Sequence, residues 1–276
     1  MYTLYLSLAV TLLVAVVPTL FGASPAWTVL PGFLLGIFCF VWFNRRMAKR
    51  VEAVTAAADA EMASLQAIAQ RPGPNTQAAM AHKFDKAIDI LKRGFILSKW
   101  QIGVTTMLNA RIGMLYFMRW LVLKKEGLKE SIPYLEKSRV SGKKARLLAS
   151  LWPAWAMLAV AWYKGHKNVD KAVEVLEGAV GVARKEGMLW GLYAFILWEA
   201  GRIDAAVDVL ARGKEKAPDD PHLVANLTAL QNQKKMNMRV YGEQWYQFGL
   251  EQPKAATMTP QMGHPRMRGR RGMMRR

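Results

Sequence analysis

The chain has 276 residues, is 52% hydrophobic and carries a formal net charge of +19, with Cys39 as its one cysteine. One cysteine excludes an internal disulfide framework and a cysteine-based metal centre. The positive charge selects for anionic lipid, nucleic acid or acidic protein as partners and is silent on fold. In chain order, the first charged residue is Arg45, followed by Arg46, Lys49 and Arg50. The uncharged stretch before them is too long for one membrane span and suits two. Tyr2 to Phe21 is apolar apart from Thr3, Ser7, Thr11 and Thr19, and Gly22 follows as a helix stop. Ser24 and Pro25 form an N-cap and first-turn pair, because proline's missing N–H costs nothing at that position. Ala26 to Phe43 then runs apolar for about 27 Å at about 1.5 Å per residue, close to the hydrocarbon thickness. Trp27 and Trp42 stand near its ends, where interfacial aromatics sit. A signal peptide would want a basic leader and a small-residue cleavage site, and neither is convincing here. Residues 1–44 are therefore expected to be a two-helix transmembrane hairpin. Gly32 and Gly36 form a small-x-x-x-small pair whose simplest use is close packing of the two spans on each other. Arg45, Arg46, Lys49 and Arg50 flank the span and place that side in the cytoplasm. The expected location is an inner, cytoplasmic membrane, crossed more than once, with the rest of the chain facing the cytoplasm.

Residues 45–75 are expected to be a basic juxtamembrane stalk helix and linker, the helix ended by the breaker "RPGPN" at residues 71–75. From 76 to 252 the apolar spacing is helical throughout, in runs of one to two dozen residues joined by short turns. Residues 253–276 lose all periodicity and all acid, and are expected to be a disordered basic tail.

Within the helical region one spacing recurs. Trp190, Tyr193, Ala194 and Leu197 precede Gly201, then Ala206 and Leu210 precede Pro218. Upstream, Trp155, Leu158, Ala159 and Trp162 precede Ala172 and Leu176, with one extra residue in the turn. A weaker copy reads Ile112, Gly113 and Tyr116, then Ser131 and Leu135, with a longer first helix or insertion around Arg119 to Glu126. Ala87 and Leu91 fit a second helix further upstream, and Leu227 begins a degenerate copy that ends in "VYGEQWYQFGL". This pattern resembles the tetratricopeptide repeat (TPR), a helical hairpin of about 34 residues with the signature W-x-x-L-G-x-x-Y, then A-x-x-x-F, then P. The resemblance implies an all-α solenoid over roughly residues 77–252, in which each hairpin covers the apolar face of the next. Departures are Gly213 where alanine is usual, Ser131 for alanine, and a missing proline in the copy that starts at Trp155.

The sequence offers little catalytic chemistry. His82, His166, His222 and His264 have no paired-ligand spacing, and no phosphate-binding glycine loop or nucleophile elbow is present. Glu199, Asp204 and Asp208 read as a solvated face. No enzyme activity, metal or cofactor is expected. What the TPR resemblance implies is binding, through inward-facing positions of each first helix. Those positions are Met107, Ala110, Met114, Phe117 and Met118, then Pro153, Ala156, Val160, Tyr163 and Lys164, then Met188, Gly191, Phe195, Trp198 and Glu199. The carboxylate clamp of some TPR proteins is missing, so a groove of Met107, Met114, Phe117, Tyr163, Phe195 and Trp198 suits the apolar face of a partner helix. The same stripe is equally open to cover by the chain's own stalk or by "VYGEQWYQFGL". Arg266, Arg268, Arg270, Arg271, Arg275 and Arg276, with the basic cluster at Arg45, suit anionic lipid; RNA phosphate is the competing ligand. The expected function is a membrane-anchored, non-enzymatic scaffold that recruits a protein partner to a cell-envelope assembly. Two alternatives remain at this point. One is a ribosome- or RNA-associated membrane factor using the basic surface. The other is an accessory subunit of a membrane enzyme, similar in architecture alone to the two-span TPR proteins linked to haem biosynthesis.

Overall fold

In the computed structural model, residues 2–22, 24–70, 73–101, 103–124, 127–140 and 148–252 are described. Among them there are helices and turns and no strand. The two good repeat copies and their weaker neighbours form an all-α, TPR-like stack behind an apolar helical pair.

Helices α1 (Tyr2–Leu20) and α2 (Pro25–Gln70) form an antiparallel hairpin. The Gly32–Gly36 pair faces α1. A side chain at Gly32 would meet the Ala15 Cβ at 3.0 Å, and one at Gly36 would collide with the Thr11 hydroxyl. The small pair thus lets the two helices approach in cis. The opposite surfaces are apolar and open, with Leu13 and Phe38 each 65% exposed. Both α1 and the first part of α2 are long and apolar enough to cross a membrane.

The second half of α2 is not a free stalk. Met47, Val51 and Ala58 are buried, and Val54, Met62 and Leu65 extend the same seam at three- and four-residue spacing. That spacing puts them on one face of the helix. The seam packs against Phe84, Ala87, Ile88 and Leu91 of α3 (Thr76–Arg93) and Val104, Leu108, Ile112 and Leu115 of α4 (Val104–Leu123). Ion pairs border it: Lys83 and Lys86 both reach Glu61, at 2.8 and 2.6 Å, and Arg111 reaches Asp59 at 2.9 Å. The helix that begins with the apolar stretch therefore continues without a break into the first layer of the solenoid.

The remaining hairpins follow in order. Helix α4 pairs with α5 (Leu128–Lys137), and Gly113 lets Leu135 pack directly on its backbone. Ser131, standing where alanine is usual, is fully buried and donates its hydroxyl to the Leu128 carbonyl at 2.6 Å, so the departure leaves no unpaired group. Helix α6 (Trp152–Val160) ends in a wide turn over Ala161–Gly165 and pairs with α7 (Val169–Val182). Helix α8 (Gly187–Glu199) pairs with α9 (Ile203–Lys216), and α10 (Pro221–Gln231) caps the stack.

The two good copies show how the repeat tolerates one extra residue. After α8, Gly201 takes a left-handed backbone (φ +78°) and the Arg202 N–H donates to the Leu197 carbonyl at 2.9 Å, closing the helix end. After α6, Lys167 takes that left-handed place (φ +53°), and the Asn168 N–H reaches one residue further back, to Trp162 at 3.1 Å. The wide turn absorbs the insertion, so both second helices keep their register. The Ala206 side chain is fully buried at the crossing of α9 with α8, and Gly213 lies under Trp190, whose Cβ is 2.9 Å from where an added side chain would begin. Glycine at 213 is thus the small partner that this large ring requires.

Candidate functional site

The inward-facing stripe expected from the repeat pattern divides into a closed half and an open half. The closed half lies on α8. Past α10 the chain turns back, held by Asn226, which is 2% exposed and accepts the Asn237 N–H at 2.7 Å. Met238 then seats on Gly191, where its Cε would be 2.7 Å from an added side chain. The Tyr241 hydroxyl donates to Asp220 at 2.9 Å, and burial together with that carboxylate pushes the phenol well above its usual range. Trp245, in the short helix α11 (Glu243–Tyr246), is fully buried against Phe195, ring centroids 5.0 Å apart. Its indole N–H donates to Glu251 at 2.8 Å. Gly249 ends the return against Trp120 and Leu121 at the far end of α4.

Several residues expected in a groove are therefore core. Phe195 is 3% exposed beneath Trp245, and Phe117 is fully buried beside Trp120, at 5.4 Å. Ala110, Ala156 and Val160 are fully buried, and Met188 is nearly so. Trp198 is half-buried on the edge of Phe195 at 5.7 Å. Tyr163 is half-buried and donates to Glu199 at 2.9 Å; burial and that carboxylate push its phenol up to about 12. Glu199 thus serves a repeat-to-repeat contact, while Asp204 and Asp208 stand exposed on α9. On α8 the physical reason is the return of residues 236–251, which covers Gly191 and Phe195; on α4 and α6 it is the packing of the helices on one another in the shared core.

The open half lies between α2, α4 and the start of α6. A cleft of about 500 Å³ is lined there by Met62, Met107, Met114 and Met118, with Ala58, Leu91, Leu115, Leu151 and Pro153. Asp59 and Arg111, paired at 2.9 Å, sit on its wall. Met107, Ala110, Met114, Met118 and Pro153 are the expected groove residues that this cleft brings together. Leu151, just before α6, and Met62 join them, Met62 because the stalk helix supplies one wall. Unbranched methionine side chains with several rotatable bonds make such a wall adaptable in shape.

The basic residues fall in two places. Arg45, Arg46, Lys49 and Arg50 are exposed on α2 where its apolar stretch ends, and the Arg46 guanidinium lies 5.5 Å over the Trp42 ring. Arg266, Arg268, Arg270, Arg271, Arg275 and Arg276 lie outside the described residues. His82, His166 and His222 sit on separate elements, and His264 lies outside the described residues. Among the described residues no group of three or more His, Cys, Asp or Glu side chains converges on a metal-sized site.

No curated protein matches the chain. Residues 153–230, spanning α6 to α10, match the tetratricopeptide repeat family, whose helical arrays serve protein–protein interaction.

Proposed function

We propose that this chain is a membrane-anchored, non-enzymatic adaptor whose cleft between α2 and α4 receives the apolar face of a partner helix. The observation that carries the reading is the division of the inward stripe. The strip over α8 is closed by the chain's own residues 236–251, while the methionine-lined cleft of about 500 Å³ stays open. An adaptable apolar wall with one ion pair at its side fits an amphipathic helix better than an acidic chain end. The hairpin α1–α2 lies in the cytoplasmic membrane of a bacterial-type cell, and the basic residues after Asn44 keep the solenoid on the cytoplasmic side. The arginine tail adds attraction to anionic headgroups, at about 1 kcal/mol per basic residue near the surface. The partner belongs to an envelope assembly, brought to the membrane because α2 joins the span to the binding wall as one helix.

A charge placed in the cleft tests this. Full-length protein carrying Met114→Asp, captured from crosslinked native membranes, should lose its partner while keeping its helical content. Trp198→Ala, which lies outside the cleft, should keep the partner. Retention of the partner by Met114→Asp together with loss by Trp198→Ala would contradict the assignment.

A further inference from the structure

We infer that the segment joining α3 to α4 is a second membrane contact, which docks the solenoid on the lipid surface beside its own anchor. The inference rests on the α1–α2 hairpin lying in the bilayer. The joining residues, Gly94–Lys99, form a tight 3-10 helix. Gly94 is buried against Val54, and Phe95 and Leu97 turn toward the core. Ile96 turns the other way and is 75% exposed. Among the described residues beyond the hairpin, no large apolar side chain is more exposed.

The height of this segment is set by three contacts with the base of the hairpin. The Thr3 hydroxyl donates to the Trp100 carbonyl at 2.8 Å, and the Tyr2 and Trp100 rings meet edge to face at 5.4 Å. Gln101 donates to the Asn44 side chain at 3.1 Å. Asn44 is the last residue before the charged run, so it marks the membrane surface on α2, and Tyr2 and Thr3 mark it on α1. Trp100 is pinned to α1 and its neighbour Gln101 to α2, which puts the tryptophan at headgroup level, where it is favoured. Ile96 lies four residues away, about 8 Å along a 3-10 axis. Arg93 and Lys99 flank it, as basic residues flank a wedge that meets anionic lipid. An apolar tip, an interfacial tryptophan and two basic flanks at the level of the span's end together match a lipid surface and not water.

The test uses the full chain with Cys39→Ser and a single environment-sensitive dye on Ile96→Cys, Ile203→Cys or Leu13→Cys, in nanodiscs of phosphatidylglycerol and phosphatidylethanolamine. The dye at 96 should emit to the blue of the dye at 203 and be quenched best by a spin label near the headgroup. The dye at 13 should be quenched best by a label near the end of the acyl chain. If 13 is quenched and 96 behaves like 203, the contact does not exist while the anchor stands. If 13 is not quenched either, the anchor reading falls and takes this inference with it. If 96 is dry in native membranes but wet in the lipid nanodiscs, a protein covers it and the lipid assignment is wrong.

Discussion

Trp245→Ala is the perturbation that most sharply probes how the α8 strip is closed. The ring is fully buried, packed edge to face on Phe195 at 5.0 Å and on Phe248 at 6.1 Å. Burying an aromatic of about 150–250 Å² at about 25 cal/mol per Å² is worth about 4–6 kcal/mol. Partial collapse of the hole brings the expected loss to about 3–5 kcal/mol. Loss of the indole donor adds little, because Glu251 still has Arg239 within 3.4 Å. Denaturant melts followed by helical circular dichroism should show the shift. Hydrogen exchange should show the amides of residues 189–197 losing protection, since Phe195 and its neighbours would be uncovered. A loss below about 1 kcal/mol, typical of a surface site, would refute the claim that residues 236–251 form part of the core.

Three further outcomes follow from the same packing. Ala206→Trp should cost about 1–3 kcal/mol or more by overpacking the α8–α9 crossing, whereas Asp208→Ala on the exposed face should stay within about 0.5 kcal/mol; equal shifts in thermal melts would mean that the repeat register is wrong. Lys83 and Lys86 hold the Glu61 carboxyl down from 4.5 to about 2. Its contribution is therefore complete above pH 4.5 and is lost as the pH falls from there toward 2, and Glu61→Gln should flatten that part of the acid-unfolding curve. In a Cys39→Ser background, a membrane-impermeant thiol label on intact cells should reach Ser24→Cys and not Asp208→Cys; the reverse pattern would overturn the cytoplasmic orientation.

The repeat was legible because small and large residues alternate at fixed spacing: Ala194 and Ala206 against Trp190, Leu197 and Leu210. What faces into the stack was harder to read. Helix α8 is apolar all round, from Met188 to Leu197, so its spacing cannot separate an open stripe from a covered one. Only the cover distinguishes Gly191 and Phe195 from a groove, and that cover has no helical period: it is a short 3-10 turn at Arg239–Tyr241 and the four-residue α11. Met114 and Phe117 show the same ambiguity three residues apart on α4, one lining the cleft and one fully buried. The second wall of the cleft stood in the sequence only as one of two covers. The breaker at residues 71–75 set the stalk helix apart from the repeats, so composition alone did not choose between the stalk and the C-terminal segment, although Met47, Val51, Val54, Ala58, Met62 and Leu65 carry the spacing of a packed face.

Photocrosslinking from inside the cleft tests the central claim most directly. A photoreactive side chain at Met114 in the full-length protein, activated in native membranes, should trap a partner protein through an apolar helix, identified from the crosslinked peptide. The same group at Phe195 should link only within its own chain, residues 236–251 among the products. Crosslinks from Met114 that stay within the chain, with an external partner trapped from Phe195 instead, would contradict the account.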